Sequence, residues 1–396
     1  MTAGSAAGSG TNAHVALLVE IVSQIIAKEG FRPMKIVTIE AEIPKSTIQA
    51  KFDKGVVQPC GNGVPALQQA DIDDATVVVA QMGLEPWVKA MEAHPDFDII
   101  IAGRSYDPAP YAAFCVHKGF SDLGLAYHMG KIMECGAVCA VPKSAEALAI
   151  MRKQSFDIRP LSPEARCTPL SVAAHTLYEK SRPDLLAGPG GVLDVTQSRF
   201  EQLDDGRTLR VSGSQFLPAV QGQYTVKLEG ARCAGYSAMF FGGIRDPILI
   251  SQLDQLAPMI EDTIRTVLPY EFELAIHTYG KDSLLVEPDL PLSTSCPVTE
   301  VGVLGKVLAS TQEKANAVAN LAKVFFIHAP YSGQVATAGN LMMPFSPCDF
   351  PLGPVAEFCL YHLMEVYDPA ELFPFTARTI GEELEVGGRA RPTLER

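Results

Sequence analysis

The stretch Phe97-Asp98-Ile99-Ile100-Ile101-Ala102-Gly103-Arg104-Ser105-Tyr106-Asp107-Pro108-Ala109-Pro110 decides how this chain is read. Its first half is a short, unbroken apolar run rich in β-branched residues, the signature of a strand buried on both faces of a parallel sheet. Gly103 then permits a sharp turn. Asp107-Pro108 is a helix-start signal, with aspartate as N-cap and proline at the first helical position. Arg104, Ser105 and Tyr106 therefore fall between the carboxyl end of a strand and a helix N-terminus, where open α/β sheets hold their ligands. The alternative for Arg104 is an arginine paired with a neighbouring carboxylate.

Two further apolar runs, Met34–Ile39 and Thr76–Ala80, read as strands, each followed by a helix, near Pro44 to Lys54 and Glu85 to Ala93. With Ile99 to Ala102 they predict a parallel, doubly wound α/β sheet over residues 1–182. Ahead of them, the small, glycine-rich segment from Gly4 to Asn12 feeds an amphipathic helix carrying Val15, Leu18, Val19, Val22, Ile25 and Ile26, with Gly30 as its stop. Gly4, Ser5, Gly8 and Gly10 make a candidate anion loop of backbone N–H groups. The spacing matches neither a Walker loop nor a dinucleotide fingerprint, and no strand is read ahead of it. A flexible tail is the other reading.

Beyond Pro110 come a helix to about Lys118 and a longer one from Leu123 to Val141. The second places Tyr127, Lys131 and Glu134 on one face, and His128, Lys131 and Cys135 on an overlapping one. Lys131 and Glu134 read either as a solvated ion pair or as an acid/base pair pointing at the Arg104 loop. Near Ser181 the pattern changes. Gly188-Pro189-Gly190-Gly191 marks a boundary and a second candidate anion nest, and strands dominate afterwards: Arg199–Gln202 and Thr208–Val211 around Asp204-Asp205-Gly206, then Tyr224–Glu229 and Gly235–Phe241. The ending Gly243-Ile244-Arg245-Asp246-Pro247 echoes the Arg104 loop, and a helix to about Leu268 follows. The remaining expectations are strands over Phe272–Thr278, Val301–Leu308 and Val324–Ile327, the last delivering His328, and helices over Lys314–Ala322 and Val355–Val366. His328 reads as a satisfied core histidine or as a catalytic acid. Residues 183–380 thus form a mixed α+β domain, and 381–396 a polar tail.

With 396 residues, 47% apolar and 19% charged, the chain has ample core for two or three domains. A formal net charge of −13 argues against nucleic acid. No apolar run of about 18 residues suggests a membrane span, and Met1–Ser5 lacks the basic and apolar regions of a secretory signal. Nine irregularly spaced cysteines read as reduced, mostly buried thiols of a cytoplasmic protein. No metal-ligand spacing is recognisable, so no cofactor is assigned and a divalent ion is left open.

The segments Ile99–Pro110, His128-Met129-Gly130-Lys131-Ile132-Met133-Glu134-Cys135-Gly136-Ala137, Gly188–Gly191, Tyr224–Gly230 and Gly242–Pro247 together resemble the acyclic terpene utilisation (AtuA) family, over most of the chain from Gly4 to about Phe375. The resemblance implies breakdown of branched terpenoid acids or small dicarboxylic acids, a hydration or dehydration, and a small ferredoxin-fold partner, fused or separate. Family members open with a strand, a glycine turn and a βα stretch ahead of the Gly4–Asn12 region. That portion is absent here, which predicts an unprotected sheet edge and a glycine loop that is mobile or ordered by a neighbouring chain.

Two functions follow. The first is a hydro-lyase acting on a small branched carboxylic acid or its thioester. Arg104 and Arg245 anchor carboxylate through their planar guanidinium forks, the glycine loops, including Gly190 and Gly191, take a second anionic group, Glu134 or Lys131 moves the α-proton, and His328 protonates the departing hydroxyl. Ser105, Tyr106, Asp107, Lys227 and Asn340 complete the candidates for substrate contact. The second is a non-catalytic acid-binding or scaffold subunit of a larger complex. Both expect a small anionic ligand and a homo-oligomer.

Overall fold

The computed structural model describes residues 1–179, 182–220, 223–281 and 298–381. Among them the chain is a mixed α/β protein with several sheets, ten helices and no closed barrel. It divides into two compact units: Met1–Ala231 with the chain from Phe358 onward, and Arg232–Glu357.

The first unit is organised on the apolar run read first. Ile99–Ala102 is a strand with all four residues buried. It pairs in parallel with Met34–Ile39 on one side and with Thr2–Ala3 on the other. Alternation along these strands sends their side chains to opposite faces. Ile36, Ile99 and Ile101 pack on Val15, Val19 and Ile26 of the helix Asn12–Glu29, which ends at Gly30 in the left-handed conformation, φ +65°. Val37, Ile39, Ile100 and Ala102 face a larger core with Trp87, Ala112 and Leu125. That core takes in the helices Glu85–Ala93, Ala109–His117 and Leu123–Met133.

Several expectations change here. Val77–Gln81 does not join the parallel sheet; it pairs antiparallel with 227–231, and the fourth member, Phe375–Ile380, runs antiparallel to Met34–Ile39. Alternating strands and helices predict neighbours in sequence, whereas these pairings are long-range and leave no local trace. A strand does precede the glycine loop, Thr2–Ala3, and the loop is docked within its own chain: Ser5 and Ala6 donate their N–H groups to Gly103 and Ala102, and Arg104 donates to Gly10. Gly10 is required by that approach, since its φ is +69° and a Cβ there would lie 2.3 Å from the Arg104 nitrogen. The helix read to Val141 stops at Met133, capped by Glu134. Gly136 adopts φ +61° shortly after, and Cys135 and Cys139 consequently lie beyond the helix. Asp107 does not cap; the helix opens at Ala109 with Pro108 before it.

The rise in strand content begins near Ala140, ahead of the boundary read at residue 182, and the strands on both sides of that point belong to the first unit. Leu209–Ser212 pairs with Phe156–Pro160, and Leu185–Gly188 forms a hairpin with Gly191–Asp194. The chain leaves the first unit only at Arg232, midway through one continuous strand, Thr225–Ile244, that the sequence divides in two at Gly230–Ala234.

The second unit runs strand 232–244, helices Pro247–Ile250 and Leu253–Val267, strands Phe272–Tyr279 and Val301–Ala309, helix Gln312–His328 and strand 349–357. This βαββαβ succession, with Val301–Ala309 antiparallel to both 236–244 and Phe272–Tyr279, is the ferredoxin-like arrangement. Its core joins Phe240, Val303 and Val307 to Leu256, Ile260, Ala319 and Phe326. Two expectations are overturned. Val324–Ile327 is the last turn of a helix, because a four-residue apolar run is equally a buried helix segment. The expected helix over Val355–Val366 is instead part of the strand Asp349–Glu365. Of the expected polar tail only Gly381 is described; 382–396 lie outside the described residues.

Candidate functional site

Gly103 accomplishes what the sequence requires of it: its N–H donates to Ile39 and the chain turns out of the sheet. The backbone of Arg104 is then pinned on both sides, donating to Gly10 and accepting from Met82. Its side chain projects into a cavity of about 780 Å³ lined entirely by first-unit residues, among them Cys60, Arg104, Tyr106, Asp107, Lys131, Glu134, Gly188, Pro189, Lys227, Glu229 and Tyr361.

The guanidinium is not free. Arg104 Nε and Nη2 donate to the two carboxylate oxygens of Glu229 at 2.7 and 3.2 Å, and Nη1 donates to Ser5 Oγ at 3.3 Å. Lys227 Nζ approaches Glu229 Oε1 at 2.6 Å, donates to the Tyr361 hydroxyl at 3.3 Å and lies 4.6 Å from that ring's centroid. Burial alone raises a carboxyl's pKa, but the hydrogen bonds from Arg104 and Lys227 outweigh it and hold Glu229 below its ordinary range. The converse applies to Lys227, where the nearby carboxylate overcomes burial and raises the ammonium.

A second pair lines the same cavity. Every residue from Gly124 to Ile132 is buried, so this helix has no solvated face and the exposed-pair reading of Lys131 and Glu134 is excluded. Lys131 Nζ pairs with Glu134 Oε1 and lies 5.3 Å from the Tyr178 ring centroid. Tyr106 covers them from the Arg104 loop; burial, with Glu134 and Asp107 nearby, raises its phenol above the usual range. Gly188 allows this packing, since a Cβ there would meet Tyr106 Cε1 at 2.8 Å.

Of the predicted residues, Arg104, Tyr106, Asp107, Lys131, Glu134 and Lys227 line this one cavity, and Ser5 reaches it through Arg104. Ser105 is fully buried, its hydroxyl donating to the Gly103 carbonyl. Gly190 and Gly191 form the turn and strand start behind Gly188, packed on Tyr224 and Phe216 and outside the lining. The anion-loop role of Gly4, Ser5, Gly8 and Gly10 is not supported. The N–H groups of Ser5, Ala6, Gly8 and Gly10 are all donated to carbonyls of the chain, and the N-terminal Asn12 of the following helix already donates to Glu42 Oε1 at 2.8 Å.

Arg245, His328 and Asn340 belong to the second unit and are not in the lining. Asn340 is held locally, Nδ2 donating to the Ala329 carbonyl. His128 is a satisfied core histidine between Ser214 Oγ and Thr176 Oγ1, and burial depresses its pKa to about 3. Sequence reasoning missed Glu229 and Tyr361. For Glu229 the signal was present: Lys227 and Glu229 are two apart on one strand and therefore share a face. Tyr361 falls in the expected helix Val355–Val366, which is a strand in the structure.

Among the described residues no group of three His, Cys, Asp or Glu side chains converges to hold a metal ion, and no helix is long and apolar enough to cross a membrane. No curated protein and no solved structure matches the chain. A family profile does, that of the acyclic terpene utilisation family protein AtuA, over residues 7–344. That span holds both ionic clusters of the cavity apart from Ser5 and Tyr361, and it covers most of the sequence: the chain belongs to the acyclic terpene utilisation family.

Proposed function

We propose that this chain is a cytoplasmic enzyme of acyclic terpenoid or branched-acid catabolism, a hydro-lyase that takes a small branched carboxylic acid or its thioester into the first unit's cavity. The observation that carries this reading is the pairing of Lys131 with Glu134 on the wall of the cavity that Arg104, Glu229 and Lys227 also line. In the Arg104 cluster two cations share one carboxylate, leaving one positive charge to face an anionic substrate group or a developing enolate oxygen. Glu134 removes the α-proton and becomes the neutral acid, while the Lys131 ammonium it releases gives its proton to the departing hydroxyl, which leaves as water as the double bond forms; proton transfer from Glu134 back to Lys131 restores the pair. Phe358, Leu185, Leu363 and the Tyr361 ring receive the branched apolar body.

A second reading, a non-catalytic acid-binding subunit, is favoured by one fact: the fork of Arg104 is already filled by Glu229. One experiment separates the two. The protein is incubated in D₂O with a branched unsaturated acid, a branched dicarboxylic acid and their thioesters, and loss of the α-proton signal is followed by NMR. The enzyme reading expects exchange that falls about 10²- to 10⁴-fold in Glu134→Gln, the range attributed to a positioned acid or base. Ligand-induced thermal stabilisation without exchange in the parent protein would establish the subunit reading instead.

A further inference from the structure

Five residues beyond Glu134 the chain buries a second kind of chemistry. Ala140–Val141 pairs antiparallel with Arg166–Cys167, the register setting Ala140 opposite Cys167. Cys139, just ahead of that ladder, turns its sulfur toward Cys167, and the two Sγ atoms stand 3.9 Å apart. Both residues are almost wholly buried, in the same core as Phe156, Ile158 and Val172. Packing alone asks only for small apolar groups at these positions; it does not ask for two thiols in contact.

We infer that Cys139 and Cys167 are a peroxide-sensitive dithiol that closes to a disulfide within the first unit, a modification site at the foot of the segment that carries Glu134. The sulfurs must approach from 3.9 Å to about 2.05 Å, with a Cβ–S–S–Cβ angle near 90°. The ladder between Ala140–Val141 and Arg166–Cys167 already holds the two backbones side by side, so side-chain rotation supplies most of that approach.

The roles of the two sulfurs differ. The hydrogen bond from Cys167 lowers the Cys139 thiol below its usual range, while the same bond and burial raise Cys167. Cys167 is fixed in the ladder while Cys139 lies just ahead of it, so Cys139 takes the attacking role and Cys167 the resolving one. The Cys139 thiolate attacks one oxygen of hydrogen peroxide and breaks the O–O bond, giving a sulfenic acid and hydroxide, which takes up the proton lost from the thiol as water. Cys167 sulfur then attacks the sulfenic sulfur, the S–S bond forms, and the hydroxyl leaves with the Cys167 proton as a second water. Two thiols are oxidised and one peroxide is reduced to two waters. Burial selects the oxidant: at 1% and 0% exposure the pair is reached only through local opening, which admits a small peroxide far more readily than a bulky disulfide such as oxidised glutathione.

The test uses the full chain, folded. It is treated with hydrogen peroxide or, in parallel, with oxidised glutathione, then unfolded in excess N-ethylmaleimide and mapped by mass spectrometry without reduction. The expected result is a joined pair of peptides containing Cys139 and Cys167, lighter by two hydrogens, formed with peroxide at least tenfold faster than with oxidised glutathione. In Cys167→Ala the sulfenic acid at Cys139 is trapped by dimedone; if that variant fails to fold, the map of the parent decides alone. Sulfinic acid on Cys139 beside a free Cys167 would overturn the inference. So would both residues remaining unoxidised while the exposed Cys233 reacts, or equal rates with the two oxidants.

Discussion

Replacing Arg104 with lysine keeps the charge and removes the planar fork, and the structure sets how much that should cost without any ligand. Arg104 makes two charge-assisted hydrogen bonds to Glu229 and one contact with Ser5. Its side chain is 21% exposed and that of Glu229 10%, so the pair is neither at the surface nor fully desolvated. Hydrogen bonds to charged groups contribute roughly 1.5–3 kcal/mol each. A lysine ammonium retains one of the two, and Lys227 still neutralises Glu229, which keeps the loss far below the roughly 3–5 kcal/mol of an orphaned buried charge. The expectation is therefore a destabilisation of about 1.5–2 kcal/mol, which for a unit of this size is a fall of about 3–8 °C in thermal midpoint. It is read by calorimetry and urea melts of the ligand-free protein. Glu229→Gln, and the double variant with Arg104→Lys, should be non-additive, because both substitutions break one interaction. A ligand-free midpoint unchanged within 1 °C, together with additive effects, would refute the bracing role and return Arg104 to the ligand.

Three further outcomes are expected. Gly188→Ala forces a methyl to within 2.8 Å of Tyr106 Cε1, and should cost about 1–3 kcal/mol as overpacking does; the indicator is the thermal midpoint, with Gly63→Ala, where a Cβ meets nothing and the backbone is not left-handed, reporting the cost of the exchange alone. Gly10→Ala should prevent the glycine loop from docking altogether, visible as rapid amide exchange at Ser5, Ala6 and Arg104. His128 gives a pH dependence of definite sign. Its folded pKa of about 3 lies below the unfolded value of about 6.5, so the unfolded state binds the extra proton between them and stability falls as pH drops through that window. At pH 5 the loss is about 2 kcal/mol, and it should vanish in His128→Gln when both proteins are compared across pH 4 to 7.

The parts of the fold legible in the sequence were those set by local pattern. The run Ile99–Ala102, the helix ending at Gly30 and the hairpin at Asp204-Asp205-Gly206 all rest on residues adjacent in the chain. What pattern could not supply was partnership. Val77–Gln81 has the composition of its parallel neighbours, yet its hydrogen bonds go to residues 227–231. The stretch 355–366 has a spacing compatible with a helix and forms a strand because its partners are strands. The site divides in the same way. Lys131 and Glu134 were found because helix geometry relates them. Glu229 shares a strand face with Lys227, which the sequence does show, but its pairing with Arg104, 125 residues earlier, leaves no local trace.

The route by which the chain enters and leaves the second unit has a consequence for synthesis on the ribosome. Residues 232–357 are an insertion in the first unit, since the strand Thr225–Ile244 carries the chain out and Asp349–Glu365 brings it back. The inserted unit contains its own four strands and two long helices, so it has all its partners once residue 357 has emerged. The host must wait longer. Met34–Ile39 finds Phe375–Ile380 only after the whole insertion has been made, and the cavity likewise lacks Tyr361 until the chain has returned from it. The part made first is thus finished last, and its half-paired sheet stands exposed while a later segment folds. A nascent chain of this protein therefore depends on protection of the open edge of Met34–Ile39 until Phe375–Ile380 has emerged.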